Sequence, residues 1–149
     1  MDQMVVRHAL LSDAEAVFRL LSKFATSYTP ARPAFDSSYS RLLENDGADL
    51  LVAGLHGRVV GYILASDSLT LFANGVVTEL LELYVEEEER GRGIGRELVR
   101  RAVARARERG AVEVTVPTRR ARSFYLALGF ELTAELFKLN LQQEIAGPP

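Results

Sequence analysis

The chain has 149 residues, 48% hydrophobic and 26% charged; that is one domain's length with enough apolar material for a packed core, which argues against a disordered segment. With no cysteine, disulfides, thiolate metal sites and a cysteine nucleophile are excluded, and His8 and His56 alone are a poor basis for a metal site. The net charge of -2 hides an asymmetry: eight arginines stand against two glutamates between Arg90 and Arg109, directly after the run Glu86, Glu87, Glu88, Glu89.

In chain order, residues 4–8 are valine-rich and predict a first strand. Ser12 with Glu15 forms a capping-box pattern, and Ala16, Val17, Leu20, Leu21 and Phe24 follow at helical spacing, so a helix is expected to about Ala25. Pro30 and Pro33 break it, and a short second helix is expected over residues 39–44. Residues 50–55 and 58–65 are apolar runs joined at His56-Gly57, a hairpin in which His56 is a turn residue. Residues 66–72 prolong the second run to a turn at Ala73-Asn74-Gly75, and residues 76–85 predict a long strand. A glycine-rich loop then opens an amphipathic helix over 94–109, with Leu98, Val99, Ala102, Val103 and Ala106 inward and Gly110 closing it. A strand over 111–116, a helix over 120–128 closed by Gly129, and a last strand or strand pair over 130–141 complete the pattern. Residues 1–141 are expected to be one domain and 142–149 a frayed tail. No apolar run is long enough to span a bilayer and the first residues lack the features of an export signal, so a cytoplasmic protein is expected. This order of elements predicts a mixed α+β fold.

The stretch Arg90-Gly91-Arg92-Gly93-Ile94-Gly95-Arg96 joins a strand to a helix start. Amides at a helix start lack acceptors and carry the positive end of the helix dipole, and glycines let that backbone close around a phosphate. Within the helix, Arg96 and Arg100, and Arg101 and Arg105, stand at repulsive i,i+4 spacing, which an anionic partner would relieve. The spacing is neither the dinucleotide G-x-G-x-x-G nor a P-loop, and by itself the loop is equally readable as a tight turn with a charged surface.

Arg90-x-x-Gly93-x-Gly95 resembles the Q/R-x-x-G-x-G/A acyl-CoA motif of the GNAT N-acetyltransferases. Downstream, Ala121-x-x-Phe124-Tyr125-x-x-Leu128-Gly129-Phe130 resembles that superfamily's A-x-x-F-Y-x-x-x-G-F segment, at the interval of one helix and one strand. The resemblance implies an α+β, three-layer domain with a mixed sheet flanked by helices, and direct transfer of acetyl from acetyl-CoA to an amine without a metal. It implies that the main chain of Leu83, Tyr84 and Val85 binds the pantetheine arm as an added strand, and that the amides from Arg90 through Gly91, Arg92, Gly93, Ile94 and Gly95 to Arg96 hold the pyrophosphate. It also implies that Tyr125 protonates the departing thiolate. Thr118 stands where many members have an asparagine near CoA, and Arg119, Arg120 and Arg122 are unusually basic. Glu79 and Glu82 are both candidates for the base. By strand parity they face opposite sides of the sheet, with Glu79 sharing its row with Leu81, Leu83 and Val85. Glu79, Glu82 and the Glu86 to Glu89 run favour a cationic amine acceptor. Two other readings stay open: a non-catalytic acyl-CoA-binding regulator on the same fold, and a nucleic-acid-binding module, which the negative net charge and the absence of interleaved aromatics disfavour. A membrane partner is not expected, and a homodimer is left open.

Overall fold

The structure, a computed structural model, describes residues 3–142. The chain divides into two compact units, Met1–Val116 and Pro117–Pro149. The first carries a five-stranded sheet in the order β1-β2-β3-β4-β5, with β1 Val5–His8, β2 Ala48–Leu55, β3 Arg58–Thr70, β4 Gly75–Val85 and β5 Glu113–Thr115. All pairings are antiparallel except β4 with β5, so the sheet is mixed as expected.

Residues 50–55 of β2 and 59–65 of β3 form apolar runs because helices cover both faces. On one face, Leu50, Val52, Tyr62 and Leu64 pack with Val17 and Leu20 of α1 (Ala14–Phe24) and Tyr39 of α2 (Arg32–Glu44). On the other, Gly61 leaves room for Leu98 of α3 (Ile94–Glu108), whose Val99, Ala102 and Ala106 are also buried. The β2–β3 hairpin turns on His56 and Gly57, with φ 55° and 72°, as a two-residue loop between Leu55 and Arg58. Gly110, at φ 88°, ends α3 while the Ala111 amide bonds back to the Ala106 carbonyl.

Several local expectations are corrected. Asp13, not the Ser12–Glu15 box, organises the entry to α1: its carboxylate accepts from the Leu10 amide at 2.8 Å and from both Arg7 Nη atoms at 2.7 and 3.0 Å. Helix α2 begins at Arg32, not near Tyr39, because Pro33 sits in its first turn, where a missing N–H costs no hydrogen bond. Strand β5 is only three residues long, and α4 of the second unit is Arg122–Ala127. No strand forms over 130–141; alternation alone does not make one without a ladder partner, and Leu136 and Phe137 stay exposed. Past Gln142 the expected tail lies outside the described residues.

Four buried or half-buried charges pin the far end of α3 to the sheet. Arg109 donates to both Asp67 oxygens, at 2.7 and 2.9 Å, and to Asp49; Arg105 reaches Asp49 at 2.9 Å, and Thr78 donates to Asp67 at 2.7 Å. Asp49 is 4% exposed, so removing Arg109 leaves a charge inside without its principal partner. Arg109→Met is expected to cost about 3 kcal/mol in urea unfolding, the lower end for a broken buried pair because Arg105 still reaches Asp49. The Arg109 guanidinium holds the Asp67 carboxyl below the ordinary carboxylate range against the opposing effect of burial. Its contribution is therefore complete above about pH 4 and lost as pH falls through the folded-state value. Acid titration of stability should show a smaller loss in Asp67→Asn than in the native chain.

Candidate functional site

Strand β4 is paired on both sides only as far as Glu79. Val77, Thr78 and Glu79 face Glu113, Val114 and Thr115 of β5 in parallel; beyond Glu79, β4 continues to Val85 with β3 alone. Leu83, Tyr84 and Val85 therefore lie on a stretch whose β5 side has no ladder. The chain then passes a 3₁₀ turn at Glu87–Glu89 and reaches Arg90.

Gly91 and Gly93 adopt φ 82° and 83°, a conformation that costs other L-residues about 1–2 kcal/mol. Gly93 is the N-cap of α3, and the first helical bond runs from the Glu97 amide to the Gly93 carbonyl at 3.0 Å. The amides of Ile94, Gly95 and Arg96 thus belong to a first turn with no helical acceptors. A Cβ at Gly91 or Gly93 would meet nothing within 4 Å, so glycine serves the backbone angle there and not a tight fit within the chain.

The arginines divide into two groups. Arg105 and Arg109 point inward to Asp49 and Asp67, and Arg100 pairs with Glu97 at 2.5 Å. The repulsion expected between Arg101 and Arg105 is thus met partly by a protein carboxylate. Near the loop, Arg90 donates from Nε to the Val85 carbonyl at 2.9 Å, and its guanidinium lies 5.1 Å from the Tyr84 ring centre. Arg92 is 3.2 Å from Glu89, and Arg96 is exposed with no ion pair to a described residue. Neither is the glutamate run a uniformly solvated patch. Glu86 is 3% exposed and holds Arg19, Lys23 and Arg58 at 3.3, 3.5 and 3.6 Å, so its charge is spent inside the fold.

Strand parity misassigned the two candidate bases. Leu64 opposes Glu82 and Ala65 opposes Leu80, leaving Leu81 as an extra residue on β4. The bulge resets the alternation. Glu79, opposite Ser66, and Glu82, opposite Leu64, consequently share the α1–α2 face with Tyr62 and Tyr84, while Leu83 and Val85 face α3. Glu82 accepts a hydrogen bond from the Tyr62 hydroxyl at 2.8 Å. Burial pushes its carboxyl above the ordinary range, and the Tyr62 hydrogen bond opposes the rise. Phe24 approaches both tyrosines edge-on, 6.5 Å from each ring. Sequence reasoning missed Tyr62; the available signal was a tyrosine inside an apolar central strand, whose hydroxyl needs a partner when buried.

Thr118 and Tyr125 belong to the second unit. Thr118 Oγ1 accepts from the Ala121 amide at 3.1 Å and so braces the turn before α4. Tyr125 is the buried member of the Phe124–Tyr125 pair, with Phe124 and Phe130 ring centres at 5.0 and 5.4 Å. Burial pushes its phenol up to about 12, so it stays protonated at neutral pH. Arg119, Arg120 and Arg122 are exposed. Among the described residues no three His, Asp or Glu side chains gather as a metal site, and no helix is long and apolar enough to cross a membrane.

A raised carboxyl has a definite sign. The folded state disfavours the Glu82 carboxylate relative to the unfolded chain, so this charge opposes folding above about pH 4.5. Glu82→Gln keeps a carbonyl for Tyr62 and removes the buried charge. Its melting temperature should exceed the native value at pH 7, with the difference vanishing near pH 4.

The model of the Acetyltransferase (GNAT) family matches residues 14–130. An uncharacterized N-acetyltransferase of Methanocaldococcus jannaschii is 31% identical over 127 residues, covering 74% of this chain and 56% of that protein; the chain thus spans little more than half of that relative's length. An uncharacterized N-acetyltransferase of Chlorobaculum tepidum is 29% identical over 97% of this chain and 86% of its own length. Among solved structures, an aminoglycoside N-acetyltransferase in complex with CoA superposes with a TM-score of 0.84 at 19% identity, covering 96% of this chain and 97% of that one.

Proposed function

Given that this chain belongs to the GNAT acetyltransferase family, we propose that it binds acetyl-CoA along the β4–α3 junction and transfers the acetyl group directly to an amine. The observation that carries the reading is the junction itself. Strand β4 parts from β5 after Glu79 and leads into a helix whose first amides have no acceptors. The open side of Leu83, Tyr84 and Val85 suits an extended amide-bearing arm. The amides at Ile94, Gly95 and Arg96, with Arg92 and Arg96, suit its pyrophosphate. The Val85 carbonyl is engaged by Arg90, so the arm must share that acceptor or displace the arginine.

In this reading Glu82 is the base, directly or through one water. Burial raises its carboxyl, which brings its basicity closer to that needed to take a proton from an ammonium near neutral pH. The freed amine attacks the thioester carbonyl, the tetrahedral intermediate collapses, and CoA leaves as thiolate. Tyr125 is the donor to that sulfur. A phenol at about 12 is a weaker acid than a thiol at about 8.5, so its contribution is a hydrogen bond to developing charge, with protonation completed afterwards. Glu79 and Glu82 on one face still favour a cationic acceptor, now without help from Glu86. Thr118 keeps a hydroxyl proton available for a ligand. Assembly as a homodimer is outside this reading's requirements.

Calorimetry should show CoA and acetyl-CoA binding far more tightly than ATP or NAD; ATP binding with no CoA binding would remove the proposal. Gly93→Val should fold, with a stability loss near the left-handed strain of about 1–2 kcal/mol, and lose CoA affinity; normal affinity would reduce the loop to a turn. A mass-shift survey of amine pools with acetyl-CoA identifies the acceptor. With it in hand, Tyr125→Phe should lower kcat by about 10²-fold, the low end for an acid contribution, at unchanged KM for acetyl-CoA. A rise in KM alone would make the hydroxyl a binding group.

A further inference from the structure

Glu82 receives one hydrogen bond among the described residues, and Tyr62 supplies it. The Tyr62 ring is 1% exposed, wedged in the α1–α2 face with Phe24 edge-on at 6.5 Å, and its hydroxyl is 2.8 Å from Glu82 Oε1. Tyr84 is directly opposite Tyr62 across the β3–β4 ladder, and Glu82, opposite Leu64, is therefore diagonal to Tyr62 on the same face. Oε2 accepts no hydrogen bond from a described residue. We infer that Tyr62 is a positioning residue for Glu82, holding Oε1 so that Oε2 is the oxygen offered to the acceptor amine; this rests on the acetyl-transfer reading above.

The physical case is one of rigidity. A free glutamate side chain samples many rotamers, and fixing it costs on the order of 1–2 kcal/mol. A tyrosine has two torsions, and this one is locked by close packing, so its hydroxyl supplies a fixed point at little further cost. The surrounding charges are engaged elsewhere. Arg19 and Lys23 of α1 are bound to Glu86, Arg90 lies over Tyr84, and on α2 Arg32 pairs with Asp36 while the Tyr39 hydroxyl donates to the Leu10 carbonyl. Glu79 shares the face of β4 but does not contribute to the Glu82 shift, which answers to burial and to Tyr62. The opposing account is that the phenol only fills the packed space beside the carboxyl and holds neither oxygen in place; it predicts no dependence of the carboxylate's titration on the hydroxyl.

Carbon-13 NMR on glutamate-labelled protein separates the two. The Glu82 carboxyl resonance is assigned by its loss in Glu82→Gln and titrated in the native chain and in Tyr62→Phe. Removing a hydrogen bond that favours the charged form should move the midpoint up by about one pH unit. An unchanged midpoint in a folded variant overturns the inference. If Tyr62→Phe does not fold, the native chain still decides: with ring-labelled tyrosine, the Tyr62 Cζ resonance must follow the Glu82 midpoint, and a resonance indifferent to it overturns the inference as well. CoA calorimetry on the same samples tests the acetyl-transfer reading separately, because a chain that binds no CoA fails that reading whatever the carboxyl does.

Discussion

Leu81 is the one residue of β4 without a counterpart on β3, and the arrangement of the proposed site depends on it. A bulge bends its strand and increases the local twist. Here it lies between the part of β4 that β5 still pairs, ending at Glu79, and the part that runs on with β3 alone. The inserted residue is itself partly exposed, so the insertion disturbs the ladder without disturbing the core. Its effect is to bring Glu79 onto the face that Glu82, Tyr84 and Tyr62 share.

Charge is the second organising theme. Interior carboxylates hold the arginines and lysine nearest them: Asp13 engages Arg7, Asp49 and Asp67 engage Arg105 and Arg109, and Glu86 engages Arg19, Lys23 and Arg58. These pairs place the ends of the helices against the sheet, and α3 is fixed at the end opposite its glycine-rich start. A helix held at its far end by paired charges can leave its first-turn amides free of internal partners, which is what a phosphate-binding start requires. The apparent basic surface of α3 is correspondingly smaller than its arginine count, which weakens the case for a polyanionic partner.

Glu82 differs from these carboxylates. Its partner is a neutral hydroxyl, and burial works against its charge. Interior charges without a cation cost stability and are retained where their basicity is used. The contrast between Glu86, held by three cations just past the end of β4, and Glu82, with no cation among the described residues, separates a scaffold carboxylate from a candidate base.

The local grammar of the chain was legible from residues alone. Glycine at positive φ marked the β2–β3 turn, the α3 start and the α3 end, because only glycine adopts those angles at low cost. Apolar spacing located α1, α3 and the central strands, and the two motifs placed the chain in its family before any coordinates. What local pattern could not decide was anything set by a partner in space. The face of Glu82 depends on one residue opposite another across a ladder, and parity counting cannot register an insertion. Arg105 and Arg109 counted only as members of a basic run until their aspartates arrived from β2 and β3. Residues 130–141 alternate like a strand, yet no ladder forms there, because a strand is defined by hydrogen bonds to a neighbour that its own sequence does not contain.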